Sequence, residues 1–150
     1  MPAKTSLAVS LASLPDAERA EALAGLSDAD ALGLLFDWAF WRRPEQAAPA
    51  GDWETWLIQT GRGWGKTRTG AEWVREQASS GQVKLIGLVG ATAADIRDTM
   101  VEGDSGILAC CPPWDMPEYE PSKRHRLTWK NGCVAIGYSA DEPNRLRGPN

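Results

Sequence analysis

The sequence predicts an α/β fold, a partial parallel sheet with flanking helices preceded by an N-terminal helical segment, and three observations carry that reading. A glycine-rich stretch, "GRGWG", stands between an apolar run and a segment of helical spacing. The next run, "VKLIGLVG", is nearly continuous in apolar residues and suits a strand buried on both faces. A second helical pattern, "ATAADIRDTMVEG", follows it directly. The middle of the chain thus reads strand, helix, strand, helix, the building block of a parallel sheet with covering helices.

In chain order, residues 1–42 form the helical segment. Within "SLPDAERAEALAGLSDADALGLLFDWAFWRRPEQ" two helices are expected, each opened by a serine with an acid three residues on. Those pairs are Ser13 with Asp16 and Ser27 with Asp30, and Gly25 marks the gap. Leu32, Leu35, Phe36 and Ala39 recur at helical spacing beside Trp38 and Trp41, an apolar face for a core or a docking surface. Pro44 stops the helix, and "RRPEQAAPAGD" is a linker into the sheet domain of residues 43–150. There "WETWLIQT" reads as a short strand centred on Trp56, Leu57 and Ile58, and "KTRTGAEWVREQASS" as a helix ended by Gly81. After the proline-rich "CCPPWDMPEYEPS", the segments "RHRLTWK" and "CVAIGYS" flank Asn131 and Gly132, a strong hairpin signal.

Composition narrows the setting. No apolar run approaches the roughly 18 residues of a membrane span, and the N-terminus lacks the basic flank and apolar core of a secretory signal. The expected compartment is the cytoplasm. Cys110, Cys111 and Cys133 show no ligand spacing around His125 and read as buried or incidental thiols. The net charge of −4 hides a basic end: residues 121–150 carry Lys123, Arg124, Arg126, Lys130, Arg145 and Arg147 against Asp141 and Glu142. Charge alone leaves two readings of that end, contact with phosphate or a solvated face.

The stretch "IQTGRGWGKT" carries the chemistry. It approaches the phosphate-loop pattern GxxxxGK[ST], with Thr60 where the first glycine belongs. A polyphosphate is held by converging backbone N–H groups, which requires that no side chain intrude. Gly61, Gly63 and Gly65 alternate through the loop, and Gly61 is expected to supply the freedom that Thr60 lacks. Lys66 offers a charge for the β and γ phosphates, Thr67 a hydroxyl for Mg²⁺, and the following helix its N-terminal dipole. Arg62 has two readings, a finger supplied in cis to the γ-phosphate or an exposed or paired surface cation. Trp64 either shields a nucleotide or packs on the adjoining helix.

Together "RRPEQ", "GDWETWLIQTGRGWGKTRTGAEWVR", "LIGLVGATAADIRDTMVEGDSGIL" and "LTWKNGCVAIGYSADEPNRLRGP" resemble the large terminase subunits, ATP-driven motors that package DNA into the heads of tailed phages and gene transfer agents. The resemblance implies an incomplete P-loop NTPase sheet of the RecA/ASCE-like kind, in phage or prophage DNA. It makes Thr60 a family habit in a deviant Walker A loop, with Lys66 and Thr67 on the phosphates and Mg²⁺ and Arg62 raised as a catalytic arginine. Gln46 resembles the glutamine that contacts adenine in related helicase-type ATPases, the alternative being a linker glutamine without a partner. Thr92 and Arg97 follow the second strand where helicase-like ATPases touch nucleic acid. Implied cofactors are ATP and Mg²⁺. Implied partners are double-stranded DNA, a portal protein, a small terminase subunit and further copies in a ring.

Hydrolysis also needs acids to hold Mg²⁺ and orient water. Asp141 and Glu142 are rejected for that pair, because Ser139 and Ala140 separate them from the apolar run and because their strand leaves an Asn-Gly hairpin, whereas a parallel core strand is required. In the resembling family the acid-bearing strand comes after a segment like "RLRGPN", so the chain to Asn150 is expected to bind nucleotide weakly and hydrolyse it little. The other readings are a helicase-like translocase and an interaction-only product.

Overall fold

The structure, a computed structural model, describes residues 6–141 and divides the chain into two units, one to Leu57 and one from Ile58. Glu142, Arg145, Arg147 and the segment "RLRGPN" lie outside the described residues.

The first unit holds short helices: α1 (Leu7–Ala12), α2 (Asp16–Ala24), α3 (Asp28–Leu35) and α4 (Trp38–Trp41). Ser27 caps α3 as expected: its hydroxyl accepts from Asp30 N at 3.2 Å, and the Asp30 carboxylate accepts from Ser27 N at 3.3 Å. Ser13 does not cap α2. Its hydroxyl donates to Ser10 O at 2.8 Å at the end of α1, and Pro15, with its preset φ, opens α2 instead. The expected second helix divides at Asp37, whose carboxylate accepts from Ala39 N at 2.9 Å and Phe40 N at 3.3 Å and starts α4. A short acidic side chain that bonds nearby backbone competes with helix continuation. Of the apolar face, Trp38 is buried, while Leu35 stays 59% exposed.

The second unit is α/β. It contains α5 (Lys66–Ser79), β1 (Leu85–Gly90), α6 (Ala93–Asp95), which widens into a π-type turn over Ile96–Val101, α7 (Ile107–Cys110), β2 (Glu118–Glu120), β3 (Arg126–Thr128) and β4 (Val134–Ser139). The strand order is β1-β4-β3-β2. Only β1 and β4 are parallel, from Leu85 opposite Val134 to Gly90 opposite Ser139; β3 pairs antiparallel with both β4 and β2. The sheet is therefore mixed, which corrects the expectation of a parallel one. A single strand, β4, serves as a hairpin arm and as the parallel neighbour of β1. That also removes one reason for rejecting Asp141, since its strand is both.

Two further expectations fail. Residues 53–60 form no strand, and Leu57 is 77% exposed. An extended segment needs a ladder for its N–H and C=O groups, and here Trp53 makes local contacts instead. Its indole donates to Pro49 O at 2.9 Å, and its ring meets Trp56 edge-on. Nor is β1 buried on both faces. Ile86 and Leu88 are buried, but Leu85 and Val89 remain 62% and 56% exposed, because successive side chains of the strand alternate between a covered face and an open one.

The core gathers Ala71, Val74 and Ala78 of α5, the inward residues of β1, Ile96, Val101, Ile107, Leu127 and Ala135. Ile96 lies against both parallel strands at once. A Cβ on Gly90 would stand 2.7 Å from its Cγ1, and a Cβ on Gly137 would stand 2.8 Å from its Cγ2. The hairpin turn is fastened to the end of α5: Asn131 Nδ2 donates to Ala78 O at 2.7 Å, and Asn131 Oδ1 accepts from Cys133 N at 3.0 Å. Gly132 takes φ 85, the left-handed conformation the turn requires. Burial pushes the Cys110 and Cys111 thiols up to about 12, so both are inert packing groups.

Asn131→Ala should cost about 1–2 kcal/mol, because it removes both side-chain bonds and leaves Ala78 O without that donor. Urea unfolding with an unchanged m-value and a lower midpoint would register it.

Candidate functional site

The loop ahead of α5 takes its shape from two glycines. Gly63 and Gly65 adopt φ 74 and φ 91, which an L side chain would oppose. Gly61 is outside that region, so the expectation that it makes the turn for Thr60 is not met; the turning falls to Gly63 and Gly65. What Thr60 and Gly61 contribute is backbone oxygen. Lys66 Nζ donates to Thr60 O at 2.9 Å and to Gly61 O at 2.8 Å, folding the ammonium back over the loop.

Gly65 opens α5 without any side-chain cap. The first-turn N–H groups of a 14-residue helix are thus offered to whatever lies in front of them. One turn on, Thr69 hydroxyl and N–H both bond back to Gly65 O, at 3.0 and 2.9 Å, and stiffen the junction.

In front of the helix end is a polar cleft of about 510 Å³, lined by Gly63, Trp64, Lys66, Thr67, Asp98 and Asp104 among others. A second groove, apolar and about 420 Å³, runs on from Lys66 and Thr67 between α5 and β1. Thr67 borders both cavities. Trp64 is half-buried on the cleft wall. Arg62 is exposed on the loop and makes no side-chain hydrogen bond or ion pair among the described residues.

The remaining residues singled out from the sequence stand elsewhere. Gln46 belongs to the first unit, is buried, and its Oε1 accepts from Arg43 N at 3.0 Å. Thr92 caps α6, with its hydroxyl accepting from Asp95 N at 3.1 Å. Arg97 holds the Asp98 carboxylate through contacts of 2.6 and 3.1 Å, and those bonds keep Asp98 below the usual carboxylate range. Asp141 is exposed just after β4.

The sequence reading missed Glu72. It is fully buried on α5, with Arg68 Nη2 2.6 Å from Oε1 and Arg75 Nε 3.0 Å from Oε2, the latter an ion contact without hydrogen-bond alignment. The i, i+4 and i, i+3 spacing of these charges was visible, but burial of the central acid was not. Arg68 also lines the cleft, so Glu72 positions a cation beside Lys66 and Thr67.

Burial raises the Glu72 carboxyl above its ordinary value of 4.5, against the pull of Arg75 and Arg68. A raised folded value means the native state holds its proton more tightly than the unfolded chain. Stability from this group is therefore present below about 4.5 and declines as pH rises through the folded value. Glu72→Gln should flatten that decline in urea midpoints measured from pH 4 to 7. Glu72→Ala, which strands two arginines, should cost about 3 kcal/mol, the lower end for a broken buried pair because Arg68 and Arg75 keep some exposure.

Residues 57–150 match the family model described as terminase large subunit, T4likevirus-type, N-terminal. Neither a curated protein nor a solved structure matches the chain.

Proposed function

The chain belongs to the terminase large subunit family, whose role is DNA packaging, and on that premise we propose that its 60–67 loop binds the phosphates of ATP with Mg²⁺ to power DNA movement into a capsid. The observation that carries this reading is the uncapped N-terminus of α5 at left-handed Gly65, facing a cleft of about 510 Å³ that Lys66, Thr67 and Arg68 help to line. Ligand pockets fall in that size range, and helix ends of this kind attract phosphate.

The donor set suits a nucleotide. Loop N–H groups and the Lys66 ammonium would meet the β and γ phosphates, Lys66 giving up its contacts with Thr60 O and Gly61 O for phosphate oxygens. The Thr67 hydroxyl, half-buried at the cleft, would hold Mg²⁺ through the nucleotide, where the ion would supply charge neutralisation. Arg62, exposed on the same loop, would add its charge on the γ-phosphate side. Trp64 forms a wall of the cleft. Among the described residues the carboxylates lining the cleft are Asp98, already held by Arg97, and Asp104.

Isothermal titration of the 150-residue chain with Mg·ATP tests the reading. Lys66→Ala should weaken binding about 10- to 100-fold, the loss of charge-assisted hydrogen bonds. Arg62→Ala should weaken ATP more than ADP. No binding by the wild type, or an unaltered affinity in Lys66→Ala, refutes the assignment. Fast, Lys66-dependent hydrolysis would instead move the catalytic acids to Asp98 and Asp104.

A further inference from the structure

Two consecutive residues that are not glycine, Arg124 and His125, adopt left-handed backbone at φ 57 and φ 50. Such conformations are costly for L side chains and persist where the surroundings impose them. Here Gly137 N donates to Arg124 O at 2.8 Å, His125 N donates to Pro121 O at 3.2 Å, and His125 Nδ1 lies 3.0 Å from the Tyr119 hydroxyl. Gly137 is required for this seat, since a Cβ there would stand 3.1 Å from Arg124 O.

The strained turn closes a cavity of about 190 Å³ together with Ser122, Tyr138 and Ser139. The cavity lies at the carboxyl end of β4, beside that of its parallel partner β1. Crevices at the carboxyl ends of parallel strands are where such sheets bind ligands. Neighbouring cations are already engaged: Lys123 pairs with Glu120 at 2.6 Å, and Arg97 with Asp98. The Arg124 side chain is exposed and makes no hydrogen bond or ion pair among the described residues.

A glycine would occupy φ 57 without strain, so the turn itself does not call for an arginine. We propose that Arg124, with the hydroxyls of Ser122 and Ser139, contacts a backbone phosphate of duplex DNA, separately from the nucleotide loop. The proposal rests on the DNA-packaging role above and adds the contact. An open, exposed cation in a base-rich stretch that includes Lys123 and Arg126 suits a phosphodiester on a large polyanion.

Fluorescence anisotropy of a short labelled duplex, titrated with the 150-residue chain over a series of salt concentrations, tests it. Arg124→Gly should weaken binding about fivefold or more and lower the salt slope by about one, while the melting temperature holds or rises as strain is released. Arg124→Lys should keep most of the affinity. An unchanged affinity and slope in Arg124→Gly overturns the proposal and leaves DNA binding to other residues. Failure of the wild type to bind duplex also overturns it, as does inorganic phosphate binding without duplex binding; ATP binding through Lys66 is read independently. Lost affinity with a lower melting temperature and no rescue by lysine would make Arg124 a folding residue and end the proposal.

Discussion

The parallel ladder between β1 and β4 is the contact on which the second unit depends. It joins segments far apart in the chain, and everything near the candidate sites is referred to it. The ladder brings Gly90 and Gly137 onto neighbouring strands, where their missing side chains make room for Ile96. Ile96 in turn anchors the wide turn that carries Asp98 to the cleft before α5. At its far end the ladder continues through Ala140 N, which donates to Gly90 O at 2.9 Å. The hairpin that delivers β4 also grips α5 through Asn131, so one sheet contact orients the helix whose opposite end adjoins the glycine-rich loop.

Helix α5 carries two different uses of charge. At its first turn, Lys66 is exposed and folded onto loop carbonyls that a stronger acceptor can replace. In its middle, Glu72 is withdrawn from solvent and committed to two arginines. A buried ion cluster of this kind contributes little net stability, because desolvation offsets the attraction. Its value lies in orientation. Arg68 is held along the helix toward the cleft, with less freedom to collapse onto the loop.

Much of this was legible in local signals. The Ser27 cap, the span of α5, the Asn131-Gly132 turn and the buried thiols follow from residue chemistry acting over a few positions. The failures are non-local or competitive. Residues 53–60 have strand-like composition, yet a strand exists only with a partner, and the Trp53 indole satisfies itself nearby. The run from Leu85 to Gly90 suggested two covered faces, but its neighbours cover one, which periodicity alone does not reveal. Asp37 displaced one helix boundary by offering the backbone a closer acceptor, and Pro15 displaced another through its preset φ. For the site, the glycine spacing located the loop, whereas only dihedral angles showed that Gly63 and Gly65, and not Gly61, turn it. The strain at Arg124 had no sequence signature at all.

The late position of β4 has a consequence for biosynthesis. A nascent chain emerges in order, so α5 and β1 leave the ribosome while Val134–Ser139 is still untranslated. Until that strand arrives, Ile86 and Leu88 lack their ladder neighbour, and both edges of β1 are open to whatever passes. After it arrives one edge is closed, while the face that carries Leu85 and Val89 stays exposed. During translation this chain thus has a window in which β1 is open to chaperones and to other copies of itself, and completion of β4 narrows that window.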